Sequence, residues 1–385
     1  MRIAFFSDTF RPNKDGVVSA MATLEGYLSS KGHKVRYFAP MPQKPQDVHE
    51  GVAYAPSFPF PPYPQYRISY NTDLLVKECM AWKADVIHSH AMATLALAAR
   101  RARKVSGIPL VGTFHTMLPD AVHYISKNEG VQDWSEHLSW TYLKWLYSKF
   151  DVVTSPSKYV QNRLRTHHIQ SVVVPGGIDT DKFTPGKIPP EVSSFVSNSG
   201  PAFLFVGRMV KEKNIDYLLS LAMQPAMKKA HAAFYFVGEG PYKEEFAAKA
   251  KKLEDTEKIA LGSARFAGRV KLPTLLGFYR SASAFVFPSK FETQGLVALE
   301  AMACGTPVLA LSSTAAGEEV IDGKNGMIAN EEEDLSLVAE KLLVLAKMKR
   351  KMSGACRKTA LEFSREKVGK RMLEAYKLAR KKCGK

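Results

Sequence analysis

The chain has 385 residues, 45% of them hydrophobic and 24% charged: enough apolar material for large cores, and too much for a disordered chain. Its 54 lysines and arginines against 37 acids give a formal net charge of +17, which says nothing of fold but favours an anionic partner. Nucleic acid, an acidic membrane surface and a phosphorylated small molecule all qualify; the four cysteines (Cys79, Cys304, Cys356, Cys383) form no CxxC pair, which excludes an ordinary zinc ribbon, disfavours a disulfide scaffold and suits a reducing compartment.

The opening MRIAFFSDTF reads as a strand, Ile3–Phe6, rather than a signal peptide. Gly16–Ser30 has a helical pattern, and Gly32 then turns the chain into a second strand at Lys34–Phe38. Asp85–His88, Pro109–Phe114 and Asp151–Thr154 are further strands, with helices at Ala91–Val105 and Trp134–Phe150. Short apolar strands alternating with helices predict a mostly parallel sheet covered on both faces. Between residues 40 and 66 eight prolines, among them Pro59, Pro62 and Pro64, interleave with Phe58, Phe60, Tyr63 and Tyr66. This reads as an irregular excursion from the sheet; an aromatic wall facing an acceptor or a membrane is the alternative.

Alternation restarts near Pro201. Strands are expected at Phe203–Val206, Ala233–Val237, Ala264–Phe266, Ala284–Phe287 and Pro307–Leu311, and helices at Ile215–Ala222, Lys243–Leu253, Leu272–Arg280 and Leu296–Ala303. A last helix at Ser364–Lys382 repeats Val368, Met372, Ala375, Tyr376 and Leu378 along one side. Gly176, Gly177 and the Pro185–Pro190 stretch mark a mid-chain break, so two α/β domains fit better than one closed barrel. Their expected limits are 1–175 and 176–363, with the helix at 364–385 packing back across the domains. The most hydrophobic stretch, Leu296 to Ser313, contains Glu300, Gly305 and Pro307, so no transmembrane segment is expected and any membrane contact is peripheral.

The strongest chemical signal is the run from Phe287 to Val308. A strand enters a polar loop, and a helix starts near Gly295, where free N–H groups and the dipole can receive phosphate oxygens. Glu292 precedes that helix and Glu300 lies within it, so two acids can address different parts of one ligand: a sugar and a ribose diol. The alternative is a loop acid and a paired helix acid. Gly207–Asn214 follows another strand; Arg208 offers a fork for two phosphate oxygens and Lys213 a compact charge. Asp15 and Gly16 enter the first helix, where glycine lets a sugar or phosphate approach the backbone. His88, His90 and His115 stand at strand ends; metal-site spacing is lacking, and His115 is the better candidate for contact with a reacting sugar, with structural hydrogen bonds the simpler role for His88 and His90. No G-x-G-x-x-G, G-x-x-x-x-G-K-[ST] or G-x-S-x-G motif occurs, which argues against a simple NAD dehydrogenase, a P-loop ATPase and an α/β-hydrolase.

These segments resemble the GT-B family 4 glycosyltransferases (glycosyl transferases group 1), over nearly the whole chain. The similarity rests on Glu292-x7-Glu300, the following Ala301–Val308, Gly207–Lys213 and Val173–Asp179, in that family's order along the chain. The resemblance implies an α/β GT-B fold, two Rossmann-like domains facing a cleft, the acceptor side N-terminal and the nucleotide-sugar side C-terminal. It implies a retaining enzyme using UDP- or GDP-hexose, with no tightly bound cofactor and no essential metal. Arg208 and Lys213 would hold the diphosphate, Glu300 the ribose, Glu292 the transferred sugar, and Gln294, Gly295 and Leu296 the rest of the donor loop. His115 matches the family's active-site histidine and Gly16 its glycine loop beneath the sugar diphosphate.

Phe114–Asp120, His123–Ile125 and Glu292–Leu296 further resemble diacylglycerol glucosyltransferases and sulfoquinovosyl-lipid synthases. That implies a lipid acceptor and a peripheral site at the cytoplasmic face of the cell membrane. Some of Trp134, Trp140, Tyr142, Leu143, Trp145, Leu146, Tyr147 and Phe150, with Lys144 and Lys149, fit an aromatic-basic surface for anionic lipid, with ordinary domain packing the alternative for several of them. A soluble sugar or polyprenyl-linked glycan acceptor, and a non-catalytic nucleotide-sugar or polyanion-binding protein, are the alternatives. No nucleic-acid recognition module accompanies the charge, and monomer and homodimer are both compatible with the sequence.

Overall fold

The computed structural model describes residues 1–13, 15–61, 63–119, 129–196 and 199–384, with the side chains of 63–65 and 129–133 also outside the description. Pro62, Asp120 and His123–Ile125 therefore lie outside the described residues. Two compact units divide the chain: Met1–Gly177 with Arg365–Lys385, and Ile178–Ser364.

The first unit runs β1 (Arg2–Phe6), α1 (Gly16–Ser30), β2 (Lys34–Pro40), β3 (Ala53–Ala55), β4 (Ser57–Phe60), β5 (Tyr63–Ser69), α2 (Asp73–Ala81), β6 (Val86–Ser89), α3 (Thr94–Ser106), β7 (Leu110–Thr113), α4 (Glu129–Tyr147), β8 (Val152–Ser155), α5 (Lys158–Thr166) and β9 (Val172–Val173). Its parallel sheet has the order β3-β2-β1-β6-β7-β8-β9, reversing direction of growth between β1 and β6. The central strands β6, β7 and β8 are buried along their whole length, as strands in a doubly covered sheet must be. Where an irregular excursion is expected, the chain instead adds the edge strand β3 and an antiparallel two-stranded ribbon, β4 with β5. A ribbon of two strands consists only of edges, so Pro59 and Pro64 omit donors that no third strand requires.

The second unit runs α6 (Pro190–Phe195), β10 (Ala202–Val206), α7 (Ile215–Ala222), α8 (Pro225–Lys229), β11 (Ala233–Val237), α9 (Lys243–Asp255), β12 (Ala264–Gly268), α10 (Leu272–Ser281), β13 (Ala284–Phe287), α11 (Leu296–Ala303), β14 (Val308–Leu311), β15 (Gly326–Ala329) and α12 (Leu335–Leu361). The sheet order β12-β11-β10-β13-β14-β15 is that of a nucleotide-binding doubly wound fold, with its switch point between β10 and β13. Phe203, Leu204, Phe205, Phe234, Phe236, Phe285 and Leu309 fill one core around it.

The last helix, α13 (Arg365–Lys382), belongs to the first unit. There it packs beside α1 on one face of the sheet, where Val368, Met372, Ala375 and Tyr376 join Met21, Leu24 and Phe5 in a shared core. Leu378, expected on that side, is instead exposed. Gly369 permits the close approach: a Cβ there would stand 2.0 Å from the Tyr27 ring. Among the described residues no helix is long and apolar enough to cross a membrane.

Candidate active site

In doubly wound sheets the loops after the strands that flank the switch point form the ligand crevice. In the second unit those loops are 207–214, after β10, and 288–295, after β13. They are tied together: Lys213 Nζ is ion-paired with Glu292 Oε1, and the Lys290 N–H donates to the Glu212 carbonyl at 3.2 Å. Both members of the Lys213–Glu292 pair are mostly shielded, with side chains 20% and 15% exposed. Lys213 also lies 5.9 Å from the Phe287 ring centroid. Arg208 is exposed, on the loop that leaves β10.

Gly295 is the N-cap of α11, with φ +82, so no side chain of its own covers the helix start. A Cβ at this position would lie 2.7 Å from the Phe287 ring and 3.0 Å from the Ala316 methyl, so both the backbone conformation and the space demand glycine. Gln294 is buried beside it, and Leu296 opens the helix half-buried.

One turn further, Glu300 accepts a hydrogen bond from the Tyr279 hydroxyl at 2.7 Å. Burial pushes the Glu300 carboxyl up to about 7, and the Tyr279 bond offsets only part of that rise. The carboxyl is thus held between its charged and neutral forms near neutral pH. Tyr279, on α10, is fully buried and joined to Glu300 across the fold. No motif marks it, because a helical tyrosine with an apolar neighbourhood reads simply as core. Glu212, between Lys211 and Lys213, was equally unmarked. Its Oε2 is buried and has no hydrogen-bond partner among the described residues.

In the first unit the loops at the corresponding switch point follow β1 and β6. Asp15 caps α1 by accepting from the Val18 N–H at 2.9 Å and from the Thr9 hydroxyl at 2.7 Å. Gly16 then opens α1 without a positive φ, and a Cβ placed on it would meet nothing within 4 Å. The fold itself does not require glycine there, and the space above it is open. Asp8, at the end of β1, accepts from the backbone N–H groups of Met92, Ala93 and Leu95 at 2.7–3.1 Å and so fixes the loop after β6.

His90 follows β6 and His115 follows β7; His90 Nδ1 and His115 Nε2 are 2.8 Å apart. Burial lowers His115 to about 4, and His88 and His90 well below the usual histidine range, so all three are neutral at pH 7. His88 has structural partners on both nitrogens: the Tyr376 hydroxyl at 2.8 Å on Nδ1 and Thr113 Oγ1 at 2.7 Å on Nε2. Among the described residues no group of three or more histidine, cysteine, aspartate or glutamate side chains is placed to hold a metal ion.

The structure divides the aromatic and apolar residues of α4 into two groups. Trp140, Leu143, Leu146 and Tyr147 are core residues, so for these four the domain-packing alternative holds and the lipid-facing one does not. Trp134 and Trp145 are 65% and 51% exposed, near exposed Leu138, Lys144 and Lys149, and the Arg100 guanidinium sits 4.0 Å from the Trp145 ring.

Two doubly wound parallel-sheet units make up an α/β GT-B fold. HepE of Anabaena, solved in complex with UDP, has this fold and superposes with a TM-score of 0.73 at 18% identity, covering 97% of this chain and 99% of its own. Residues 14–182 match the family described as Glycosyltransferase Family 4, and residues 200–347 match Glycosyl transferases group 1. The chain belongs to this family of glycosyltransferases. It is 27% identical to the alpha-monoglucosyldiacylglycerol synthase of Streptococcus pneumoniae, over 98% of this chain and 85% of that one. It is also 27% identical to the GDP-mannose-dependent alpha-mannosyltransferase of Mycolicibacterium smegmatis, over 85% of this chain and 84% of that one.

Proposed function

We propose that this glycosyltransferase moves a hexose, with retention of its α configuration, from a nucleotide sugar to a membrane lipid hydroxyl such as that of diacylglycerol or a related glycolipid. The observation that carries the donor half is the meeting of the β10 and β13 loops, which joins Lys213 to Glu292 beside an uncovered helix start. A diphosphate adds two or more negative charges to such a place. Arg208, Lys213 and the α11 terminus then supply the compensating charge, and Lys213 exchanges part of its bond with Glu292 for phosphate oxygen. Glu292 is left to accept from sugar hydroxyls, and Glu300 from the ribose diol. Gln294, Gly295 and Leu296 shape the loop around them, and Gly16 leaves room for the sugar diphosphate at the first unit's helix start.

In the transfer step the acceptor oxygen bonds to the anomeric carbon on the face from which the nucleoside diphosphate departs. The bond between that carbon and the phosphate oxygen breaks, and the acceptor proton passes to the leaving diphosphate. Arg208 and Lys213 stabilise the charge that develops there. His115, neutral at pH 7, serves the sugar as a hydrogen-bonding group rather than as an acid. The name of the pneumococcal relative supports a lipid acceptor, and that of the mycobacterial one supports GDP-mannose as a second donor to be tried. Exposed Trp134, Leu138 and Trp145 among lysines support a peripheral site on the anionic cytoplasmic face of the cell membrane.

The test is a matrix of UDP- and GDP-hexoses against diacylglycerol, glycolipids, soluble sugars and polyprenyl-linked glycans, scored for nucleoside diphosphate release and product linkage. An α-linked glycolipid is the expected product. A β-linked product overturns retention, transfer only to soluble or polyprenyl acceptors overturns the lipid reading, and no release across the matrix favours a binding protein. Sedimentation with anionic vesicles at rising salt tests the membrane site separately; failure to sediment at low salt refutes it.

A further inference from the structure

The hydroxyl of Tyr279 is a polar group in a place that packing alone does not explain. The residue is fully buried on α10, its ring edge-on to Phe183 with centroids 6.1 Å apart, and 5.9 Å from the ring of Phe285. A phenylalanine would fill that space as well, and burying a hydroxyl costs free energy unless a partner is supplied. Among the described residues the one hydrogen-bond partner of this hydroxyl is Glu300 Oε2, at 2.7 Å. The tyrosine is held through its backbone too: buried Thr306, on the turn between α11 and β14, donates from its hydroxyl to the Tyr279 carbonyl.

Burial and the neighbouring carboxylate push the Tyr279 hydroxyl well above the ordinary tyrosine range, so it keeps its proton and donates it. Glu300 is only half-buried, and among the described residues Tyr279 is the one hydrogen-bond partner of its carboxyl. Both oxygens of a carboxylate accept hydrogen bonds. With Oε2 tied into the core, Oε1 is the oxygen left with all its accepting capacity for a ligand.

A glutamate side chain is long and changes rotamer freely unless something holds it. Loss of the Tyr279 hydroxyl therefore has two effects on one group. The carboxyl is no longer fixed in its plane, and it loses the donor that favours its charged form. A carboxyl that has taken up a proton offers a donor where it previously accepted. Both effects fall on the recognition of ligand hydroxyls and leave the rest of a nucleotide untouched.

We infer that Tyr279 is a positioning residue for the nucleotide: it holds Glu300 by Oε2 and so presents Oε1 as a fixed acceptor for the ribose diol. This rests on the reading of Glu300 given above and extends it, from the acid that meets the ribose to the group that makes that acid selective. A nucleotide with both ribose hydroxyls satisfies Oε1. One that lacks them covers the carboxylate without supplying donors, and an acceptor so stranded is what gives polar sites their large selectivity. Tyr279 thus acts on the ribose without touching it, as a determinant of preference for ribose over deoxygenated sugars.

The test is calorimetric titration of the full chain at pH 7.5 with UDP and GDP, and with the 2′,3′-dideoxy form of each. The wild type should bind the ribonucleotide about tenfold or more tightly than its dideoxy form. Tyr279→Phe should weaken the ribonucleotide about fivefold or more and leave the dideoxy form within about twofold. Thr306→Val, which loses a buried bond to the same tyrosine but keeps its hydroxyl, should leave the ratio as it is. Glu300→Ala should abolish the ratio, and in that background Tyr279→Phe should weaken the ribonucleotide no further. Equal weakening of both forms by Tyr279→Phe, a ratio lost equally in Thr306→Val, or a further loss in the Glu300→Ala background makes the tyrosine a packing residue and overturns the assignment. A ratio abolished by Glu300→Ala but kept in Tyr279→Phe overturns the assignment alone and leaves the reading of Glu300 standing. A wild type that binds neither UDP nor GDP, that shows no preference, or whose preference survives Glu300→Ala removes that reading, and the role of Tyr279 falls with it. Tyr279→Met, which also fills the space without a hydroxyl, answers the same questions should the phenylalanine variant not fold.

Discussion

Replacing Glu300 by glutamine turns its environment into a measurable pH dependence. Burial raises this carboxyl from 4.5 to about 7, so the folded chain holds the proton more tightly than the unfolded chain does. Stability from this group is therefore greatest below pH 4.5 and is lost as pH rises through the window to 7. At about 1.4 kcal/mol per pH unit, the wild type should lose about 3 kcal/mol between pH 4.5 and 8 relative to Glu300→Gln, which has no proton to release. The lowered histidines of the first unit act in the opposite direction, losing stability as pH falls below 6.5, but they are common to both proteins and cancel in the difference. All four tryptophans, Trp82, Trp134, Trp140 and Trp145, lie in the first unit, so their fluorescence does not report on Glu300. Buried Cys304 and Cys356 do: urea unfolding at each pH, read by a thiol-labelling pulse at one fixed pH and resolved by peptide, follows the second unit alone. A difference that stays flat from pH 4.5 to 8 would refute the reasoning and return Glu300 to the solvated range. A saturating nucleoside diphosphate should reduce the wild-type loss, because diol donors favour the charged carboxylate.

Gly295→Ala combines a left-handed backbone with a 2.7 Å contact on the Phe287 ring, and should destabilise the second unit by about 2–4 kcal/mol in the same labelling assay. Gly16→Ala should do the reverse to the first unit, stabilising it by about 0.5–1 kcal/mol in a tryptophan-fluorescence melt, because its Cβ meets nothing. Its transfer rate should nevertheless fall at least tenfold; an unchanged rate would show that no substrate approaches there. Tyr376→Phe removes the hydroxyl hydrogen-bonded to buried His88 Nδ1 and should cost about 1–3 kcal/mol by tryptophan fluorescence, and a neutral result would show that His88 does not depend on it.

The elements legible from sequence were those whose ends carry chemical punctuation. Gly16–Ser30, Ile215–Ala222 and Leu296–Ala303 fall where expected, between Asp15, Asn214 or Gly295 at their starts and the turns that end them. The two-residue β9 has too few positions to show alternation, and the β4–β5 ribbon was hidden by prolines that normally exclude strands. In the site, Lys213 and Glu292 were legible as residue types suited to one ligand, but their mutual ion pair was not. Nor were the bonds from Tyr279 to Glu300 and from Tyr376 to His88. Such pairs join distant points of the chain through packing, and a local pattern carries no trace of its partner.

The placement of α13 has a consequence for biosynthesis. The second unit is contiguous and can assemble as soon as its own stretch has left the ribosome. The first, although made earlier, must keep the sheet face beside α1 uncovered until residues 365–382 arrive to bury Phe5, Met21 and Leu24. During synthesis the older half is thus the one that waits, and an arrest late in translation would leave it, rather than its younger neighbour, exposed to chaperones and proteases.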